Sequence, residues 1–266
     1  MKPTISVIIA TYNSKNLLLN CLKSLGKQNY PLNKFEVIVV DDGSTDGTYE
    51  TLRKLKTKFR TKVLRQNRKG PAAARNLAAK EAKGEIVAFT DADCEVPQNW
   101  LSAFTAAYQK YPKVVAVGGY LKPSKNNLFA KLEMLKNKYL HKIGNGEMLG
   151  RREVPIGFTN NMSYKKKIFQ EFKGFDERFG KPAGEDFDLK QKVASKYDIL
   201  FIPVGVKHME NYDLNYFLRQ ILKRGTEKKL TEMNNAQMIV EIIRSLPQIL
   251  YTLTRKTKGY RKAYGK

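Results

Sequence analysis

Short, fully apolar runs alternate with amphipathic stretches along most of the chain, a pattern that predicts β-strands and α-helices in turn. Ile5 to Ile9 reads as a buried strand. Leu17, Leu18, Cys21, Leu22 and Leu25 then share one face of a predicted helix. Phe35 to Val40 is the next strand, ending in the turn-rich Asp41-Asp42-Gly43-Ser44-Thr45-Asp46-Gly47. Tyr49, Leu52, Leu55 and Phe59 mark a second helix, and Lys62 to Leu64 a short strand. Pro71 and Gly84 bracket an Ala-rich helix, following the preference for proline at helix starts and glycine at helix ends. Glu85 to Thr90 is a fourth strand, with Asp91-Ala92-Asp93 at its end. Trp100, Leu101, Phe104 and Tyr108 stripe another helix, and Val114 to Val117 forms another strand. Such alternation predicts an α/β fold with a mostly parallel central sheet flanked by helices. Ligands of open α/β sheets bind beyond the carboxyl ends of the strands, where these acidic clusters lie.

The later part differs. The stretch from about Lys122 to Arg152 reads as helical and basic, a candidate cover for the site. Val154 to Tyr164 is less regular, and a second acidic cluster follows at Gly184-Glu185-Asp186-Phe187-Asp188. Leu214, Phe217, Leu218, Ile221 and Leu222 stripe one C-terminal amphipathic helix, with Asp213 placed to cap it. Ile239 to Leu253 stripes another, interrupted at Pro247. Beyond Thr254 come six cations and no acid, with Tyr260 and Tyr264 among them.

Composition narrows the class. Hydrophobic residues at 42% and aromatics at 11% exclude a disordered chain. The formal charge of +24 implies a polyanionic neighbour: nucleic acid, an anionic membrane face or a phosphorylated substrate. Two cysteines, Cys21 and Cys94, argue against a disulfide framework and for a reducing, cytoplasmic setting. Two His and two Cys also lack zinc-ligand spacing. Met1-Lys2-Pro3 leads straight into a strand, so no secretory leader is expected. Ser245 to Thr254 falls well short of the ~20 apolar residues of a spanning helix.

Three segments carry candidate chemistry. Asp91 and Asp93, flanking the small Ala92, can present oxygens to Mn²⁺ or Mg²⁺, which favour carboxylates combined with phosphate oxygens. A polar turn with Asp93 as a cap would give the same letters. Asp41-Asp42, with Thr11-Tyr12-Asn13 after the first strand, can accept from a base N–H while Tyr12 stacks, although turns favour the same residues. Arg65 to Asn76, a basic loop with Gly70 entering a helix, suits an anion at the helix N-terminus or is a solvated basic loop. Dinucleotide and phosphate-loop fingerprints are absent, which excludes the common dehydrogenases and ATPases.

Ile5 to Asn13, Val39 to Thr48, Gly70 to Asn76, Asp91-Ala92-Asp93 and Glu185-Asp186 after Gly174-Phe175-Asp176-Glu177 together resemble the family 2 glycosyltransferases of GT-A fold, over roughly Pro3 to His208. The resemblance implies a catalytic domain over 1–210, with a nucleotide-binding half to about 120 and an acceptor half beyond it, and a helical basic extension over 211–266. It implies a UDP- or GDP-sugar held by Thr11, Tyr12, Asp42, Lys69, Gly70, Arg75, Asn76, Asp91 and Ala92. A Mn²⁺ or Mg²⁺ ion would sit on Asp93, Asp91 and His208, and Asp186 would be the base of an inverting hexosyl transfer, with Glu185 as the alternative. Asn160 and Asn161 fall where relatives handle sugar or acceptor. Processive members carry a Gln-x-x-Arg-Trp motif; Gln220 to Arg224 lacks the Trp and puts Lys first, which speaks against polymer synthesis.

Two other readings compete. A nucleic-acid-binding protein accounts for the basic tail but leaves the strand-end carboxylates without purpose, since they repel phosphates unless a cation intervenes. A nucleotidyltransferase needs a Gly-rich basic loop after the first strand, where Ala10-Thr11-Tyr12-Asn13 stands instead. The amphipathic C-terminal helices and cationic tail fit an enzyme peripheral to the cytoplasmic face of an anionic membrane, acting on a lipid-linked acceptor.

Overall fold

The structure, a computed structural model, describes residues 3–131, 134, 146–156, 158–179, 184–210 and 212–213. The striped C-terminal segments, Gln220 to Arg224 and the basic tail lie outside the described residues, as do 132–133 and 135–145. The chain divides into two units, Met1–Glu210 and Asn211–Lys266, and the sheet belongs to the first.

The elements run β1 (Ile5–Thr11), α1 (Lys15–Leu25), β2 (Phe35–Asp41), α2 (Thr48–Lys54), β3 (Arg60–Arg65), α3 (Pro71–Glu81), β4 (Ile86–Phe89), β5 (Cys94–Glu95) and α4 (Trp100–Lys110). They continue with β6 (Ala116–Pro123), β7 (Met148–Gly150), β8 (Met162–Lys165), α5 (Lys166–Glu171), α6 (Glu185–Lys196) and β9 (Ile199–His208). One sheet joins the strands in the order β3-β2-β1-β4-β8-β6-β9-β5, with β7 also paired to β9. β3, β2, β1 and β4 are mutually parallel, as are β6 and β9; β8 runs against both its neighbours, and β5 and β7 run against β9.

The continuous apolar runs have a simple cause. Strands covered on both faces bury every side chain, so alternation disappears. Ile5, Val7 and Ile9 pack with α1 and α4 on one face, while Ile8, Ile38 and Val40 pack with α3, α5 and α6 on the other. Trp100, fully buried at the start of α4, anchors the first layer and donates its indole N–H to Asn161 Oδ1 at 2.9 Å.

Among the described residues from Lys122 to Arg152, the helical expectation holds at 128–131 and 134 and fails at both ends. Lys122 and Pro123 complete β6, a helical turn covers 128–131, and Met148–Gly150 is a strand set by its pairing with β9. Short edge strands such as β5 and β7 are held by their partner's register, and two or three residues carry no period to reveal them. Asn161 also proves to be a structural tie: its amide N–H₂ donates to Tyr120 O and Val204 O, both at 2.9 Å. That tie sits at the irregularity between β6 and β9, where a Cβ on Gly119 would come within 2.1 Å of Val204 O.

The parallel strands set the stage for chemistry. β1, β2 and β4 all end on one edge, delivering Thr11, Asp41 and, just beyond Phe89, Asp91 to Asp93.

Candidate functional site

A cleft of about 570 Å³ opens at that edge, lined by Ala10, Thr11, Tyr12, Ser14, Asp42, Arg68, Lys69, Gly70, Pro71, Arg75, Asp91, Ala92 and Asp93. Its size suits a nucleotide-sized ligand. Ala92 is small and buried, leaving room between the two carboxylates. Thr11 is also buried, and its hydroxyl has no hydrogen-bond partner among the described residues. A buried orphan hydroxyl on a cleft wall marks a place for a ligand atom, since such groups are otherwise paired.

Asp42 is placed differently from a plain base-binding acid. Its Oδ1 accepts from Lys69 N at 2.8 Å and Gln66 Nε2 at 2.7 Å, and its Oδ2 from Gly70 N at 2.9 Å. Three of roughly four lone-pair sites are thereby taken, so Asp42 first of all anchors the basic loop that enters α3. Gly70 takes φ 93°, a value open to glycine, and its carbonyl caps the first turn through Ala74 N. Arg68 lies over the Tyr12 ring at 4.1 Å and donates to its hydroxyl at 2.8 Å. One face of the ring expected to stack on a base thus already carries a planar cation.

Arg75 is the hub. A cation serving only an anion-binding surface would face solvent, yet Arg75 is buried and joins two carboxylates, Asp91 Oδ1 and Glu185 Oε1, each at 2.8 Å. Burial disfavours its charge, but Asp91 and then Glu185 outweigh that and raise its pKa. Asn76, grouped with Arg75 on sequence grounds, points elsewhere because one residue turns the helix by about 100°. Its amide donates to Phe175 O and Glu177 Oε1 and accepts from Phe175 N, so it ties α3 to the segment before α6 and is absent from the cleft lining.

Glu185 and Asp186 open α6, whose first turn carries three acids that complement the helix dipole. Gly184 precedes them at φ 94°. Glu185 is buried and held by Arg75. Asp186 instead accepts from two backbone N–H groups, Thr159 at 3.2 Å and Phe187 at 2.8 Å. Burial, then the neighbouring charge of Glu185, pushes the Asp186 carboxyl up to about 6. A carboxylate poised there is suited to accept a proton near neutrality.

Asp93 and His208 meet at 3.3 Å, because β5 pairs with β9 so that Cys94 faces His208. Burial opposes the Asp93 charge, but the hydrogen bond from His208 prevails and holds the carboxyl below its usual range. For His208, burial is likewise overcome by Asp93, and its pKa is raised. Cys94 completes a group of three whose ligand atoms lie within 4.8 Å of one another. Sequence spacing could not show this, since only the strand register joins positions so far apart. Burial pushes the Cys94 thiol well up, so it stays protonated and is a poor partner for a hard cation. Asp93 and His208 are donors that Mn²⁺ accepts, and Asp93 lines the cleft; Asp91, expected with them, lines the cleft too but stands outside this group, with its Oδ1 on Arg75. The residues present therefore fit a divalent cation.

The cleft thus opens at the carboxyl edge of a mixed, mostly parallel sheet, with acids at the ends of β2 and β4, where α/β proteins bind their ligands. The family model described as Glycosyl transferase family 2 matches residues 6–173, and the chain belongs to that family. Its poly(ribitol-phosphate) β-N-acetylglucosaminyltransferase relative TarS from Staphylococcus aureus is 48% identical over 90 residues, 33% of this chain and 16% of TarS. The chain thus spans a small part of that relative. The crystal structure of TarS 1-349 with UDP-GlcNAc superposes with a TM-score of 0.61 at 24% identity, covering 79% of this chain and 60% of that one. The mannosyltransferase PcManGT from Pyrobaculum calidifontis, with GDP-Man and Mn²⁺, gives a TM-score of 0.63 at 24% identity over 85% of this chain and 66% of that one. These neighbours share the GT-A fold. Among the described residues, no helix is long and apolar enough to cross a membrane.

Proposed function

We propose that the chain transfers a hexosyl group, with inversion, from a UDP- or GDP-sugar to an acceptor hydroxyl. The carrying observation is the Asp91–Arg75–Glu185 bridge, which joins the donor cleft to the helix start bearing Asp186. Thr11, with its orphan hydroxyl, and Tyr12 receive the nucleoside, and the anchored loop Lys69-Gly70 offers cationic charge and the α3 N-terminus to the diphosphate. Asp93, Asp91 and His208 would hold Mn²⁺ or Mg²⁺, which when bound neutralises charge on the departing diphosphate.

This chain's residues then divide the work. Arg75 occupies the buried Glu185 at 2.8 Å, so Asp186 is the carboxylate left to deprotonate the acceptor during in-line attack. Glu185, proposed from sequence as the alternative base, becomes the charge that adds to burial in raising Asp186. The acceptor is proposed to be lipid-linked, met at an anionic cytoplasmic membrane face with help from the cationic residues beyond Thr254.

Calorimetric titration of UDP and GDP tests the donor site. Binding of one of them in Mn²⁺ is expected to weaken roughly a hundredfold in chelator and likewise in Asp93→Ala. Equal affinity with and without the cation in the parent protein would remove Asp93 and His208 from donor recognition.

A further inference from the structure

We propose that Phe158 and Phe187 form an acceptor subsite that stacks on the apolar face of a neutral pyranose and brings one of its hydroxyls to Asp186. The proposal rests on the reading of Asp186 as base. Phe187 is 56% and Phe158 41% exposed. Single exposed hydrophobics are ordinary on any surface, so what matters is where these two stand. Asp186 Oδ1 accepts from the Phe187 N–H, and Oδ2 accepts from Thr159, the residue after Phe158. The two backbone links that orient the carboxylate therefore also fix the roots of both rings beside it.

Core packing does not account for Phe187. On α6 the residues Leu189, Lys190, Val193 and Ala194 are buried, whereas Phe187, about 20° around the helix from Ala194 but two turns nearer the N-terminus, stays more than half exposed. A third exposed ring, Phe179, lies 3.3 Å from where Gly184 would carry a Cβ, so any side chain at 184 would crowd this corner.

The surroundings choose the ligand. Asp186 and Asp188 interrupt the aromatic surface, which disfavours a polyprenyl chain seeking continuous apolar cover. Three cations of this region have partners of their own: Lys192 with Asp188 at 2.6 Å, Arg178 with Asp176 at 2.6 Å, and Lys190 with Arg152 O and, from one side at 5.8 Å, with the Phe187 ring. A polyanionic acceptor would thus meet carboxylates in place of unpaired cations. A pyranose suits both features, because its C–H face carries slight positive charge toward the negative face of an aromatic ring, and its hydroxyls reach the carboxylate.

Saturation-transfer NMR with UDP and the diamagnetic Mg²⁺ present tests this, using methyl glycosides of glucose, galactose, mannose and N-acetylglucosamine, with farnesyl phosphate and poly(ribitol phosphate) as competing probes. Ring C–H protons of at least one glycoside are expected to receive saturation from the parent protein. Affinity should fall roughly tenfold in Phe187→Leu and in Phe158→Leu, and stay within about twofold in Phe187→Tyr, which keeps the ring. UDP affinity should be unchanged in all three, reporting an intact fold. Equal glycoside binding in the leucine variants, or saturation confined to farnesyl phosphate or the polyol phosphate, overturns the subsite while leaving the donor site standing. A parent that binds neither UDP nor GDP overturns the transferase reading and this subsite with it.

Discussion

Asp186→Asn is expected to lose roughly 10²- to 10⁴-fold in turnover while keeping its affinity for the donor, because the lesion falls on proton transfer from the acceptor. In the parent, the rate should fall about tenfold per pH unit below about 6, where the Asp186 carboxyl becomes protonated. Glu185, Arg75 and the buried Tyr164 are the titratable groups whose charges couple to it. The same substitution should stabilise the fold. A carboxyl whose pKa is raised on folding ionises first in the unfolded chain, so stability falls as pH rises from about 4 to about 6 and is flat above. Asn lacks that loss, and at pH 7 the variant should gain up to about 2 kcal/mol, discounted for partial exposure and for one imperfect hydrogen bond. Thermal melts at pH 4 and pH 7 check this. A variant that is inactive but less stable than the parent at both values would mean that Asp186 holds the fold and that its lost activity is secondary.

Arg75→Met should be the most damaging change to stability. It leaves Asp91 and the buried Glu185 without their counter-charge, a loss of roughly 3–5 kcal/mol for a broken buried pair. That is a large share of the roughly 5–15 kcal/mol typical of a domain. Urea midpoints should fall sharply, and adding Glu185→Gln should recover part of the loss by removing one stranded charge. Arg75→Lys should restore little, since an ammonium cannot span two carboxylates as a guanidinium does. A shift below about 1 kcal/mol in Arg75→Met would show the bridge to be incidental.

Much of the fold is legible in the residues. Fully buried parallel strands have to be continuous apolar runs, which is why Ile5 to Ile9 and Phe35 to Val40 announce themselves. Acids at the ends of such runs necessarily gather on one edge. Pairing across distant segments is not legible. Nothing in the letters tells that β8 runs against its neighbours, or that Cys94 and His208 share a register. Saturation of polar groups is equally hidden: Asp42 and Arg75 look like ligand-binding residues in sequence, yet Asp42 accepts three hydrogen bonds from the loop entering α3 and Arg75 holds two carboxylates of the protein. Arg75 and Asn76 are adjacent letters, and only the helix rotation separates their roles. The exposure of Phe158 and Phe187 is invisible for the same reason, since an aromatic in sequence reads first as core.

The most direct test follows donor and product in one NMR tube. Purified protein is given UDP- and GDP-hexoses with Mg²⁺ and the glycoside panel, and the anomeric protons are watched as nucleoside diphosphate is released. The expected result is consumption of one α-linked donor, only with the cation present, yielding a β-linked product, with both signals static for Asp186→Asn. A folded protein that releases nucleotide equally well in chelator, or forms an α-linked product, would contradict the proposed cation site or the single in-line displacement with Asp186 as base.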